Sequence, residues 1–388
     1  MKPIYFGLLS VLILGSDSVL AAAQVSPDFS ISASSSRQLE EQGFDHFYSL
    51  EYDQAIQIFE KLRDSEPDNP AWYNDLASAY FYRKLHRAGA LQGDLFAGSN
   101  RFFRMKKIPP EETFERQFKQ TNQKAISLCE KRLSRNRNDE AALYDCGVAH
   151  ATRAAYLGLV ERAKFETLAS AREASEYHSK LARLSPYRYD AYLIPGLYEY
   201  VLGSLPGSLK FLLYFAGLSG NKLRGIQAVE STANFGTRSR QDAKILLAIM
   251  YRREKRHEDA RRTMSELAEA YPRNCIFPLE IASIHRSAGQ EQQAIRIYEQ
   301  VLNDVREGKQ GYTEVPLARV HYELAELYWK AGNLELAKDH IEQVNGATGT
   351  NQDLETQNGS MRRQVEEAMR QRQTGPTTQV CCATPFSR

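Results

Sequence analysis

The chain has almost no excess of either charge. Its 388 residues carry 50 basic and 48 acidic side chains, a net of +2. No global field therefore draws it to nucleic acid. Tryptophan is scarce, with two residues, and the aromatic content is Tyr (21) and Phe (17). Five cysteines are too few and too irregularly spaced for a zinc module or a dense disulfide scaffold. Cys129, Cys146 and Cys275 fall within helical patterns and read as small core residues. Cys381-Cys382, near the end, reads as a crosslinking pair or an unselected tail. No uninterrupted apolar run reaches the ~20 residues of a spanning helix. The longest candidate, 193–218, is broken by Pro195, Glu199, Pro206, Lys210 and several glycines.

Catalytic signatures are also missing. There is no G-x-S-x-G, no Walker-type loop, and no G-x-G-x-x-G after a strand. None of the eight histidines stands at a metal-ligand spacing such as H-E-x-x-H. No alternating pattern supports a sheet. Neither a catalytic residue, nor a metal, nor a cofactor is expected, and the chain reads as a non-enzyme. The mixed-sign run 252–259 reads as a solvated turn, because interleaved acids cancel the field of the bases.

The segment 241–274 holds two apolar-periodic runs joined by a short polar turn and closed by Tyr271-Pro272. Leu247-Ala248, Tyr251, Ala260, Met264 and Pro272 follow in fixed order. The same phase recurs around Ala294 and Ala337. The first interval is 34 residues (294 − 260) and the second 43 (337 − 294), lengthened by the insertion 303–316. Near the N-terminus Gly43, Ala55, Phe59 and Pro67 repeat the pattern. Gly43 and Ala55 are small because helix axes only ~8–10 Å apart leave no room for a large side chain. Pro67 ends its helix for want of an N–H.

This order of residues resembles the tetratricopeptide repeat, a helix–turn–helix unit. The expected fold is all-α, with helix pairs stacked as a curved α-solenoid. Residues ~140–345, with Tyr-Asp-Ala-Tyr, Gly-Leu-Tyr, Leu-Pro, Gly-x-x-Gly-Asn and Tyr-Pro-Arg-Asn, are similar to exported bacterial tetratricopeptide proteins. They are loosely similar to a eukaryotic group that includes a mitochondrial outer-membrane protein. The resemblance places the first helix of each pair on a concave binding face. It thereby nominates Arg37, Glu40, Phe44, Phe47 and Tyr48, then Asn74, Phe81 and Tyr82, then Arg319, Tyr322, Glu326, Trp329 and Lys330. The aromatic N-terminal group would either hold a peptide or pack against residues 86–110. Glu40 and Phe44 stand where a carboxylate clamp would need Lys and Asn. His46, His178, His285 and His321 fall at core-wedge positions of the repeat.

Six segments follow. Residues 1–23 read as a signal peptide, with Lys2, an apolar run to Leu14 and small residues to Ala23. Residues 24–35 read as a disordered, Ser-rich lead-in. An N-terminal repeat unit plus insertion covers 36–110, irregular helical pairs 111–236, and regular repeats 237–345. A linker, a polar helix and a disordered tail complete 346–388. The functional expectation is an exported, periplasmic or envelope scaffold that binds a protein or peptide. The rival is a peripheral membrane protein touching lipid through 96–108 and 205–218.

Overall fold

Apolar side chains at three- and four-residue spacing give each segment one apolar stripe, which must be buried against a neighbour. A computed structural model describes residues 27–91, 108–208, 210–211 and 218–374, with side chains between residues 35 and 372. The described residues form fifteen α-helices and no strand. The first group is α1 (Pro27–Tyr48), α2 (Tyr52–Ser65) and α3 (Pro70–Arg87). Next come α4 (Glu112–Arg135), α5 (Glu140–Tyr156), α6 (Lys164–Leu184), α7 (Leu193–Gly203) and α8 (Lys222–Phe235). The regular part is α9 (Arg240–Arg253), α10 (His257–Ala270), α11 (Ile276–Ser287), α12 (Glu291–Arg306), α13 (Leu317–Lys330) and α14 (Leu334–Val344). The chain is closed by α15 (Gln352–Thr374). Consecutive helices pack as antiparallel neighbours, as expected of an all-α solenoid.

Local chemistry sets the boundaries. Asn69, Asp139, Asn221 and Asn333 cap their helices by accepting a backbone N–H through the side chain. Gly289 and Gly332 turn the chain after α11 and α13 in the left-handed region, at φ 74° and 77°. At Gly43 an added Cβ would sit 2.5 Å from the Phe59 ring, which is the steric reason for glycine there. Gly225 carries a close backbone crossing of the irregular half. A Cβ there would lie 2.6 Å from both the Gly196 carbonyl and the Tyr200 nitrogen, so α7 and α8 meet backbone to backbone.

Three expectations change. Cys129 and Cys146 form a disulfide between α4 and α5, with Cα atoms 5.5 Å apart. The helical pattern around each cysteine signals only a small core residue, and the covalent link goes beyond it. Closing a 17-residue span contributes about 3 kcal/mol in the chain-entropy picture. Cys275 is buried as a free thiol, and burial pushes its pKa up to about 12. The Ser-rich stretch before residue 36 is helical from Pro27. The polar C-terminal helix starts at Gln352, inside the expected linker. It is no solvated cap, because Leu354, Met361 and Val365, at spacings of seven and four, are buried against α13 and α14. Asn358, fully inside, donates to the Ile341 carbonyl at 3.0 Å. The terminal cysteine pair, the signal segment and most of the expected lipid-contact stretch 96–108 lie outside the described residues.

Histidine behaves as core at one of the repeat positions. His178 is buried, and its Nε2 donates to the Tyr144 carbonyl at 3.0 Å. Burial lowers its pKa to about 4 despite that bond. An unfolded histidine titrates near ~6.5. The unfolded chain thus binds the proton first, and stability from this group is complete above about pH 6.5 and lost as pH falls toward 4. We expect the wild type to lose about 2.5 kcal/mol more than a His178→Gln variant between pH 7 and 4.5. Urea melts at the two values measure it; parallel losses would refute the assignment.

Candidate functional site

The N-terminal unit and the regular repeats are not independent. The N-terminal unit folds onto α9–α11, about two hundred residues away in sequence. The Tyr48 hydroxyl donates to Asp242 at 3.0 Å, and the Asn274 amide donates to the Tyr48 carbonyl at 2.7 Å. Arg273 bridges Asp45 at 2.6 Å and Glu51 at 3.1 Å. The Tyr48 and Tyr271 rings lie 5.1 Å apart. Burial, then the facing Asp242 carboxylate, raise the Tyr48 phenol well above its ordinary range.

A second joint lies at 236–239. Asp190 accepts from the backbone N–H groups of Thr237 (3.0 Å), Arg238 (3.0 Å) and Ser239 (2.8 Å). Ser239 meets the Tyr144 hydroxyl at 2.8 Å. Arg238 then points into the N-terminal unit. Its guanidinium pairs with Glu40 on α1, reaches Asp75 on α3 at 3.6 Å and lies 5.8 Å from the centre of the Phe44 ring. Asp75 is fully buried and Glu40 partly so.

Between these halves lie two adjoining recesses. One, of about 100 Å³, is bounded by Phe47, Tyr52 and Tyr82 on one side and Ile249, Ile276 and Phe277 on the other. The other, of about 80 Å³, is bounded by His86, Leu279, Glu314, Arg319 and Glu323. Leu91, Ile276 and Glu280 belong to both. The rim is half-buried and the walls are mostly apolar, with room for a partner's side chain.

An ion ladder runs beneath the recesses along α9, α11 and α13. Arg252 pairs with Glu280 at 2.7 Å and donates to the Ser283 hydroxyl at 2.9 Å. Arg286 pairs with Glu323 and reaches Glu326 at 3.2 Å; Arg319 also pairs with Glu323. Burial alone would raise the Glu326 carboxyl, but Lys330 and Arg286 hold it below the ordinary range. The ladder went unread in the sequence although a signal existed. Arg252 and Arg286 are 34 apart and Glu280 and Glu323 are 43 apart, the intervals separating Ala260, Ala294 and Ala337.

The structure separates the nominated groove residues into four sets. Phe47, Tyr48, Tyr82 and Arg319 border the recesses. Asn74 and Phe81 face no groove; both are fully buried, Asn74 donating to the Asp145 carbonyl at 3.0 Å and Phe81 against Phe118. Tyr322 and Trp329 pack on the cluster shared with α14 and α15. Arg37 is exposed, and Phe44 is half-buried between Phe59 and Tyr48. The N-terminal rings therefore pack on α9–α11 and on α3. Among the described residues no cluster of His, Cys, Asp and Glu is arranged to hold a metal ion, and no helix is long and apolar enough to cross a membrane.

The tetratricopeptide-repeat pattern matches residues 242–274 and 279–311, that is α9–α10 and α11–α12. Comparison with curated proteins finds no match. Among solved structures, the chain is similar to the Cut9–Hcn1 hetero-tetramer of APC/C (14% identity, TM-score 0.43), over 82% of this chain and 47% of that one. It is also similar to the C-terminal part of a repeat protein from Cytophaga hutchinsonii (16%, TM-score 0.39; 81% and 97%). A third is a tetratricopeptide repeat protein from Parabacteroides merdae (14%, TM-score 0.33; 86% and 99%). The chain spans about half the length of the first of these. Residues 242–311 thus contain two tetratricopeptide repeats, set in an all-α array.

Proposed function

We propose that this protein is a non-catalytic scaffold of the bacterial cell envelope that holds a protein or peptide partner on the inner face of its repeats. One observation carries the reading: the paired recesses between the N-terminal unit and α9–α13, apolar in their walls and rimmed by half-buried Tyr82, Ile276, Leu279 and Arg319. Aromatic and aliphatic anchors that fill such recesses dominate protein interfaces. A partner segment would seat an apolar side chain between Tyr82 and Ile276. Its backbone would run toward Arg319, whose charge is already committed to Glu323. Export is supported by the charge–apolar–small order of residues 1–23 and by the Cys129–Cys146 disulfide, which persists in oxidising compartments.

The test is a photo-crosslinking amino acid at Leu279, used in the native envelope and read by mass spectrometry. A dominant partner should appear in the periplasmic or outer-envelope fraction. A Tyr82→Ala/Ile276→Asp variant with unchanged helicity should lose that crosslink by at least tenfold, the effect of about 1.4 kcal/mol. Equal crosslinking by the variant, or confinement of the protein to the cytoplasm, would contradict the proposal.

A further inference from the structure

Large apolar side chains are exposed at both ends of the irregular half: Leu184, Tyr187 and Phe235 where α6 and α8 finish, and a second group, each member beside a lysine, where those helices begin. Phe165 is 87% exposed, Phe211 64% and Leu223 62%. Each directly follows a lysine: Lys164, Lys210 and Lys222. Phe165 and Leu223 open the first turns of α6 and α8. The topology brings them to the same side. α7 returns antiparallel to α6, with Tyr198 in electrostatic reach of Arg172 and Glu176. Phe165 lies seven residues beyond Arg172, roughly 10 Å along the axis; Gly203 lies five beyond Tyr198, roughly 8 Å in the same direction. Gly203 in turn packs on the Lys222 nitrogen, where a Cβ would approach to 2.5 Å, so α8 starts at this end too. The connection carrying Phe211 leaves from Gly203 and returns at Lys222.

We propose that this end docks on the surface of an anionic phospholipid bilayer. The three apolar side chains would enter the interface while the Lys164 and Lys210 ammonium groups stay at headgroup level, as long basic side chains do; Lys222 is held by Glu254. Charge supports lipid of negative sign. Three acids of this end are already paired: Glu161 with Lys119 at 2.8 Å, Glu199 with Arg224 at 3.2 Å, and Glu254 with Lys222 at 2.6 Å. Glu166 is opposed by exposed Lys164 and Lys210. The α6 and α8 N-termini add the positive ends of two helix dipoles. The contact is peripheral and lies apart from the recesses, so it does not depend on the partner-binding reading.

Flotation of the signal-free protein with phosphatidylcholine vesicles, with and without one-third phosphatidylglycerol, tests it. The expected result is at least fivefold more protein floating with the anionic vesicles. A Phe165→Ser/Phe211→Ser/Leu223→Ser variant should lose that binding on both compositions. Lys164→Gln/Lys210→Gln should lose only the anionic preference. All five positions are exposed, so circular dichroism should stay unchanged. Wild type that remains at the bottom with both vesicles overturns the proposal, as does a serine variant that floats like wild type. Crosslinks from this face to a protein without flotation would assign it to a protein partner instead and overturn it equally.

Discussion

Arg238→Ala is expected to cost about 3–5 kcal/mol, the scale for removing one partner of a buried ion pair. Asp75, out of reach of water, and Glu40, mostly buried, lose their shared guanidinium. Asp75 is fully buried. The ring of Phe44 loses its cation as well. The geometry makes the loss regional. Arg238 is held by its own backbone on Asp190, and only its side chain enters the N-terminal unit. Amide exchange should therefore accelerate first in α1–α3, while α9–α14 keep their protection. Chemical denaturation and hydrogen exchange read the two parts of the claim. A uniform loss of protection, or a change under 1 kcal/mol, would show that the joint does not hold the unit. Arg238→Lys should recover only part of the loss, since an ammonium cannot span two carboxylates and a ring as a planar fork does.

The closure of the array explains which features were legible in the sequence. The repeats at 242–311 announce themselves because each helix pair is a local object. Ala260, Ala294 and Ala337 mark helix crossings, and each is fully buried. Local periodicity carries no information on which distant helix covers an inner face. The rings at Phe44–Tyr48 were readable as an aromatic group facing inward. That they pack on Tyr271 and Asp242 depends on a superhelical path set by many small rotations between pairs. The recesses are products of that path and were invisible for the same reason. The disulfide was missed differently. Two cysteines 17 apart on neighbouring helices look like core residues until the helix register aligns their Cβ atoms. The polar helix was legible, but Gly359 and the Asn-containing stretch before it hid its first turns in the expected linker; burial of Leu354, Met361 and Val365 outweighs the weak helix propensity of Gly and Asn. The ion ladder sits between the two cases, since its spacing repeats in the chain while its partners are known only once α9, α11 and α13 lie side by side.

Arg252→Ala is the complementary expectation, because it acts within the regular repeats. Glu280 would be left with its charge in a site where both members of the pair expose less than a tenth of their side chains. The cost should again be about 3–5 kcal/mol. Here the lesion lies between α9 and α11, the interface coupling the two repeats. In a solenoid whose stability is a sum of units and nearest-neighbour interfaces, weakening one interface separates the transitions on either side. Unfolding of the variant should broaden or split, with α11–α14 released before the closed N-terminal body. The double replacement Arg252→Met/Glu280→Leu distinguishes charge from packing. Removing both ions with apolar groups of similar size is often neutral or stabilising. The double variant should therefore recover most of the loss. If the double variant is as unstable as Arg252→Ala, the ladder acts through shape and not through charge. The repeated 34- and 43-residue intervals would then mark packing positions, and Arg286→Ala should be no worse than an ordinary half-buried truncation.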